Sequence, residues 1–250
     1  MKNIRLSGAK NVRDLGGIQV KGGVIRSGML LRASHLAAIT EHDSDKLVDE
    51  YNLRTVIDLR NLAEKSEKPD VIIPGVNYLE MPIFDSSIPG MSHESKQDVD
   101  NIPSLTDIYR YVANSECLDR LADVVRKIAL SEDGYAYLYH CTEGKDRTGM
   151  VTALLLTLLG ADRATILEDY LYTNKVNRKK AVGYFLLVRI FKHNKSASRK
   201  VYRVFLAQEE YINELFRVID GVGEERFISE VLKLTPSEVS AFRERLIIKR

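Results

Sequence analysis

The stretch "YLYHCTEGKDRTGM" (137–150) decides how the chain is read, because it joins two apolar segments through a short polar link. "YAYLYHC" (135–141) reads as a buried strand. "TGMVTALLLTLLG" (148–160) is apolar almost all round and reads as a buried helix that stops at Gly160. If the strand ends near Cys141 and the helix begins near Arg147, the backbone N–H groups of the link converge at a helix N-terminus. That geometry is an anion site.

The residue types fit such a site. The positive helix end and the Arg147 guanidinium both favour the Cys141 thiolate over a thiol whose free pKa is about 8.5. Arg147 offers a planar fork for two oxygens of a phosphoryl group. Thr142, Glu143, Gly144 and Lys145 are the candidate cradle. The Thr148 hydroxyl can donate to a departing thiolate, Gly149 lets the helix pack closely, and His140 is read as ordering the loop rather than acting as a base. A lone intracellular cysteine is more often an inert buried residue. The pattern H-C-x-x-G-x-x-R-[S/T]-G, by contrast, arises by chance in far fewer than about one in ten thousand chains of this composition.

A nucleotide P-loop is excluded, since "EGKDRTG" lacks the first glycine four residues before Gly-Lys and a Ser/Thr directly after the lysine. No C-x-x-C is present to suggest zinc, and no metal is expected. A proton donor to the leaving oxygen is still required. Asp146 in the link is favoured, followed by Asp85 in "MPIFDSS" and Asp58 in "VIDLR"; the alternative for Asp58 is an ion pair with Arg60 or another basic group.

At 250 residues, with 44% hydrophobic and 29% charged residues, the composition is that of an ordinary soluble globular protein of enzyme size. The two cysteines are too few for a disulfide framework, and the N-terminus lacks the apolar stretch of a secretory signal. A cytoplasmic location is expected, although export by another route would leave no trace. The net charge of +2 hides an asymmetry: residues 175–203 hold ten Lys/Arg and no Asp/Glu. That segment reads either as a solvated basic face or, beside the site, as an anion-attracting helical lid or a patch that contacts an anionic membrane.

Around the link, "LRTVIDLR" (53–60) and "VNYLEMPIF" (76–84) read as strands, and 104–130 as two amphipathic helices. Residues 11–34 read as a hairpin, 36–52 as helical stretches broken near Thr40, 201–220 and 225–232 as helices, and 85–101 as a mobile loop. A last helix starts at Thr235, with Pro236 in its first turn and Glu238 closing a capping box. Strands alternating with helices imply a single α/β domain with a mostly parallel central sheet and a helical C-terminal part. Cys141 then falls at the carboxyl end of a central strand, where such sheets place ligands.

"HCTEGKDRTG" (140–149) resembles the signature loop of cysteine-dependent protein tyrosine phosphatases, in particular a bacterial branch whose loop reads H-C-x-x-G-K-D-R-T. "NVRDLGG" (11–17), "MLLRASHLAAIT" (29–40), "LRTVIDLR" (53–60), "DYLYTN" (169–174) and the final helices are similar to that branch in order. The resemblance implies Cys141 as nucleophile through a phosphocysteine intermediate, Arg147 as phosphate clamp, and no cofactor. It implies phosphorylated protein or phosphoinositide substrates, with no nucleic-acid partner. Two rivals are a catalytically weak phospho-ligand module and a thiol redox protein pairing Cys141 with Cys117.

Overall fold

Four short parallel strands organise the molecule, and the cysteine emerges from the middle of them. The computed structural model describes residues 2–85, 104–131, 134–191 and 195–249. β1 (Lys2–Asn3) and β2 (Arg13–Asp14) form an antiparallel edge, followed in space by the parallel strands β5 (Leu30–Ala33), β8 (Ala136–His140), β6 (Leu53–Asp58) and β7 (Asn77–Glu80). His140 is in register with Ala33 on one side and Asp58 on the other. Three strands therefore end at one level, directly below Cys141.

The central strands are apolar on both faces because both faces are covered. Tyr139 and Ile57 point into a large core, while their chain neighbours Leu138 and Val56 point into a smaller one. The large core is built on α3 (Leu105–Ala113), α4 (Glu116–Ala129), α5 (Asp146–Leu158), α8 (Glu209–Val222) and α10 (Pro236–Leu246). All thirteen residues of α5 are buried, as its all-round apolar sequence requires. It ends at Gly160, whose φ of +80° lets its N–H reach Thr157 O and that of Ala161 reach Leu156 O.

Several sequence expectations change. Residues 11–34 do not form one hairpin: only β3 (Gln19–Val20) and β4 (Gly23–Ile25) pair that way, while β2 pairs with β5 in the main sheet. The first helical segment starts at Thr40 instead of breaking there. Thr40 caps α1 (Glu41–Asp45), with Asp43 closing the box, and a π-helical turn follows at Lys46–Glu50. After α2 (Leu62–Glu67) and β7, residues 86–103 lie outside the described residues, and with them nearly all of the expected loop at 85–101.

The expected helix at 201–220 is split into α7 (Lys195–Phe205) and α8. The split has a local cause: the Asn174 side chain accepts from Ala207 N at 2.7 Å and donates to Ala207 O at 2.9 Å, taking the backbone groups that a continuous helix would use. The segment at 225–232 is a single turn, α9 (Glu224–Arg226), followed by a π-helical turn at Phe227–Val231. Thr235 and Glu238 do close the capping box of α10. The apolar tail after α10 is a strand, β9 (Ile247–Lys249), which pairs with β4. Residues 175–191 belong to α6 (Arg163–Phe191), which packs against α7 as a helical hairpin.

Candidate active site

The loop from Cys141 to Lys145 is tied to both neighbouring strands. Leu59 N donates to His140 O at 2.9 Å, and His35 N donates to Thr142 O at 3.3 Å. Gly144 turns the loop with φ +64°, and a Cβ there would lie 2.4 Å from Ala33 O, so no other residue fits without strain. Its carbonyl accepts from Asn11 Nδ2 at 2.7 Å and from Arg32 Nη2 at 2.9 Å. With that carbonyl held by the scaffold, the loop's N–H groups are left to face an anion. Among the described residues, nothing accepts from the backbone N–H of Thr142, Glu143, Gly144 or Lys145.

Beneath the loop lies a buried cluster from β2, β5 and α6. Asp169 meets Arg13 Nε at 3.3 Å and Arg32 Nη1 at 2.5 Å, with Thr152 accepting from Arg32 at 3.0 Å. Burial and the neighbouring Arg32 lower the Arg13 pKa to about 10, against the pull of Asp169. Two guanidinium groups against one carboxylate give this floor an excess of positive charge, which favours an anion above it.

Arg147 is held by a residue that the motif does not contain. Glu64 accepts from Arg147 Nη1 at 2.7 Å and from Nη2 at 2.6 Å, a two-bond fork between buried groups. The same carboxylate accepts from Thr142 Oγ1 at 2.6 Å and from Asn61 N at 3.1 Å, where it closes the capping box of α2. Burial raises the Glu64 pKa, but the hydrogen bonds and charge of Arg147, then Thr142 and the Asn61 backbone, leave it below the usual carboxylate value. Burial likewise opposes the Arg147 charge, but Glu64, the Cys141 sulfur and Asp146 raise its pKa above the ordinary guanidinium value. Glu64 occupies the end of the guanidinium, and the remaining donor, Nε, is buried without a partner, as is Thr148 Oγ1. Such orphan donors are costly unless a ligand supplies acceptors.

The acid candidates fall in three different settings. Asp146, the first residue of α5, accepts from Tyr109 Oη at 2.7 Å; Tyr109 Oη in turn lies 2.8 Å from Tyr170 Oη. Lys145 is fully buried, with its ammonium 3.3 Å from Asp146 Oδ2 and bonded to Val204 O of α7, so it faces the helical hairpin. Asp85 is exposed and forked onto Arg120 of α4 at 2.6 and 2.7 Å, and this pairing lowers its pKa. Asp58 is bonded to Arg60, with a shortest distance of 2.8 Å. His140 Nε2 lies 2.9 Å from Asp70 Oδ2, close enough for an ion pair but off the direction of a good hydrogen bond.

Asp58, Asp70 and His140 bring ligand-type atoms within 4.8 Å of one another. Arg60 already bridges the two carboxylates, at 2.8 Å and 2.9 Å, so a cationic group occupies the position a metal would need. The trio does not fit a metal centre. Glu143 sits at the loop rim, paired with Lys180 of α6 at 2.6 Å. Gly149 fits closely under Tyr170, since a Cβ would lie 2.9 Å from its ring. Cys141 is 2% exposed, and both it and Cys117 are free thiols.

A thiol at the carboxyl end of a central parallel strand, near a guanidinium held in place with one donor still unmatched, is the arrangement of the cysteine-dependent phosphatases. The chain belongs to the tyrosine phosphatase family, whose model matches residues 4–248. It is 30% identical over 169 residues to a Cupriavidus necator protein assigned as a tyrosine-protein phosphatase, covering 67% of this chain and 61% of that one. It is also 30% identical over 194 residues to the triple specificity protein phosphatase PtpB of Mycobacterium tuberculosis, covering 68% of each. A Nostoc commune tyrosine-protein phosphatase is 30% identical over 58% of this chain and 48% of its own length. The chain thus spans about half to two thirds of the length of these relatives. The crystal structure of P. aeruginosa TpbA overlays at a TM-score of 0.36 and 15% identity, covering 79% of this chain and 90% of that one, a likeness too loose to transfer residues.

Proposed function

We propose that the chain hydrolyses phosphate monoesters by way of a phosphocysteine. The observation that carries this reading is the set of unmatched buried donors around Cys141: Arg147 Nε, Thr148 Oγ1 and the loop N–H groups. A phosphoryl group presents acceptors to Arg147 Nε and the loop N–H groups at once, and they stabilise its equatorial oxygens as charge spreads in the transition state, while Thr148 Oγ1 is left for the sulfur. The Cys141 sulfur attacks phosphorus, the phosphorus–oxygen bond to the alcohol or phenol breaks, and Asp146 protonates the leaving oxygen. Water then attacks the phosphocysteine, giving its proton to Asp146, and Thr148 donates to the departing thiolate. Tyr109 holds the Asp146 carboxylate in place between these steps.

The substrate reading is phosphotyrosine, with phosphoserine, phosphothreonine and phosphoinositides as further candidates. The name of the mycobacterial relative, a triple specificity phosphatase, supports a broad range. The cationic stretch 175–203 adds an anionic membrane as a peripheral partner in this reading. Turnover of p-nitrophenyl phosphate by the intact chain, abolished in Cys141→Ser, is the expected result. Asp146→Asn should lower turnover by roughly 10²-fold or more and flatten the alkaline limb of the kcat/KM profile, where a proton donor is lost by deprotonation, with Asp85→Asn doing less. A wild-type chain that binds phosphate but turns nothing over would mark a binding module instead, and the reverse ranking of the two aspartates would move the proton donor to Asp85.

A further inference from the structure

α6 is anchored in the body of the molecule for only part of its length. Ile166, Asp169, Tyr170, Thr173, Asn177 and Ala181 are buried. Beyond Ala181, α7 packs against one side alone: Tyr184 stacks on Phe205 with ring centroids 4.7 Å apart, Phe185 meets Tyr202 edge-on, and Val188 joins the small core of the hairpin. The opposite face carries Val182, Leu186 and Ile190 at intervals of four, with Leu187 and Phe191 beside them at the same interval. On a helix these positions form one continuous ridge. Its side chains are between 40% and 78% exposed, whereas elsewhere among the described residues exposed large apolar side chains stand singly or in pairs. A ridge of this kind on a soluble surface marks an interaction site.

The charge around the ridge narrows what it can meet. Arg178 and Lys179 lie just before it on α6, and the whole of 175–203 contains no acidic residue. A second copy of the same face would bring two cationic surfaces together, which is unfavourable, while an anionic surface is complementary. No helix among the described residues is long and apolar enough to cross a membrane.

We propose that Leu186, Leu187, Ile190 and Phe191 enter the headgroup boundary of an anionic bilayer while the surrounding lysines and arginines meet its headgroups. The proposal deepens the membrane contact of the phosphatase reading. The hairpin bearing the ridge is fastened to the phosphate loop through Lys180–Glu143 and through Lys145 to Val204 O, so a docked hairpin holds Cys141 near phosphate esters at the bilayer surface.

The test is co-sedimentation of the full chain with phosphatidylcholine vesicles, with and without phosphatidylserine, alongside p-nitrophenyl phosphate turnover. Binding should be roughly tenfold or more higher on the phosphatidylserine vesicles and should fall as salt rises. The double variant Leu187→Ser, Phe191→Ser should bind roughly tenfold more weakly. Its p-nitrophenyl phosphate turnover should stay at the wild-type level, which shows that it folds. Equal binding to both vesicle types, unchanged binding by the double variant, or a wild-type dimer in sedimentation velocity that the double variant dissolves would each overturn the docking. Turnover without vesicle binding sinks the docking alone, and vesicle binding without turnover sinks the phosphatase reading alone.

Discussion

Glu64 holds the phosphate loop and Arg147 from outside the motif. Its carboxylate makes two bonds to Arg147, accepts from Thr142 and closes the cap of α2. Glu64→Gln separates these roles, because a glutamine at the third helical position still closes a capping box but cannot accept both Arg147 bonds. The expected outcome is a fall in kcat/KM of roughly tenfold or more, since charged hydrogen bonds contribute about 1.5–3 kcal/mol, with a smaller loss of Tm than in Glu64→Ala. A Glu64→Gln enzyme with unchanged kinetics would show that Arg147 needs no such support. Cys141, Arg147, Thr148 and Gly149 can be read together from the sequence because they lie within nine consecutive residues. Glu64 cannot be, since 83 residues separate it from Arg147. Its only local signal was Asn61-x-x-Glu64, which reads as a helix cap because it is one; the same carboxylate performs the second task from there.

At the scale of elements, the strand-loop-helix unit around Cys141 was readable because its local patterns agree: a β-rich run, a glycine at a left-handed position, and an apolar helix buried on all sides. The close approach of α5 and α6 is the part most open to test. Gly149→Ala places a methyl group 2.9 Å from the Tyr170 ring. It should cost about 1–3 kcal/mol of stability, as overpacking does, and be visible as a lowered Tm; an unchanged Tm would mean that α6 yields freely. The misread elements share one cause. The break between α7 and α8 comes from Asn174, on a different helix, and β9 is a strand only because β4 is there to pair with it. Local propensity carries no record of either partner.

Across the whole molecule, buried carboxylates set the response to acid. Glu64 and Asp70 have pKa values below the ordinary range despite the opposing effect of burial, through Arg147 and Thr142 for one and His140 and Arg60 for the other. Asp43 is lowered in the same way by the N–H groups of Thr40, Ser7 and Gly8. A carboxylate whose folded pKa lies below its unfolded value contributes stability that is full above the unfolded value, near 4. That stability is lost as pH falls through the folded value. Tm should therefore decline steeply below about pH 4 and less steeply in Glu64→Gln, whereas parallel curves for the two proteins would remove Glu64 from the acid response. The basic 175–203 segment is visible in composition, but only the packing of α6 on α7 shows which face of α6 is left exposed.

The central claim is a covalent bond between Cys141 and the phosphoryl group of the substrate, and rapid acid quench followed by peptide mass spectrometry measures it directly. With p-nitrophenyl phosphate and the Asp146→Asn variant, the peptide containing Cys141 should carry the mass of one phosphoryl group, and the Cys141→Ser protein should show neither turnover nor this adduct. Steady turnover with the phosphoryl group on another residue, or undiminished turnover by Cys141→Ser, would contradict the claim.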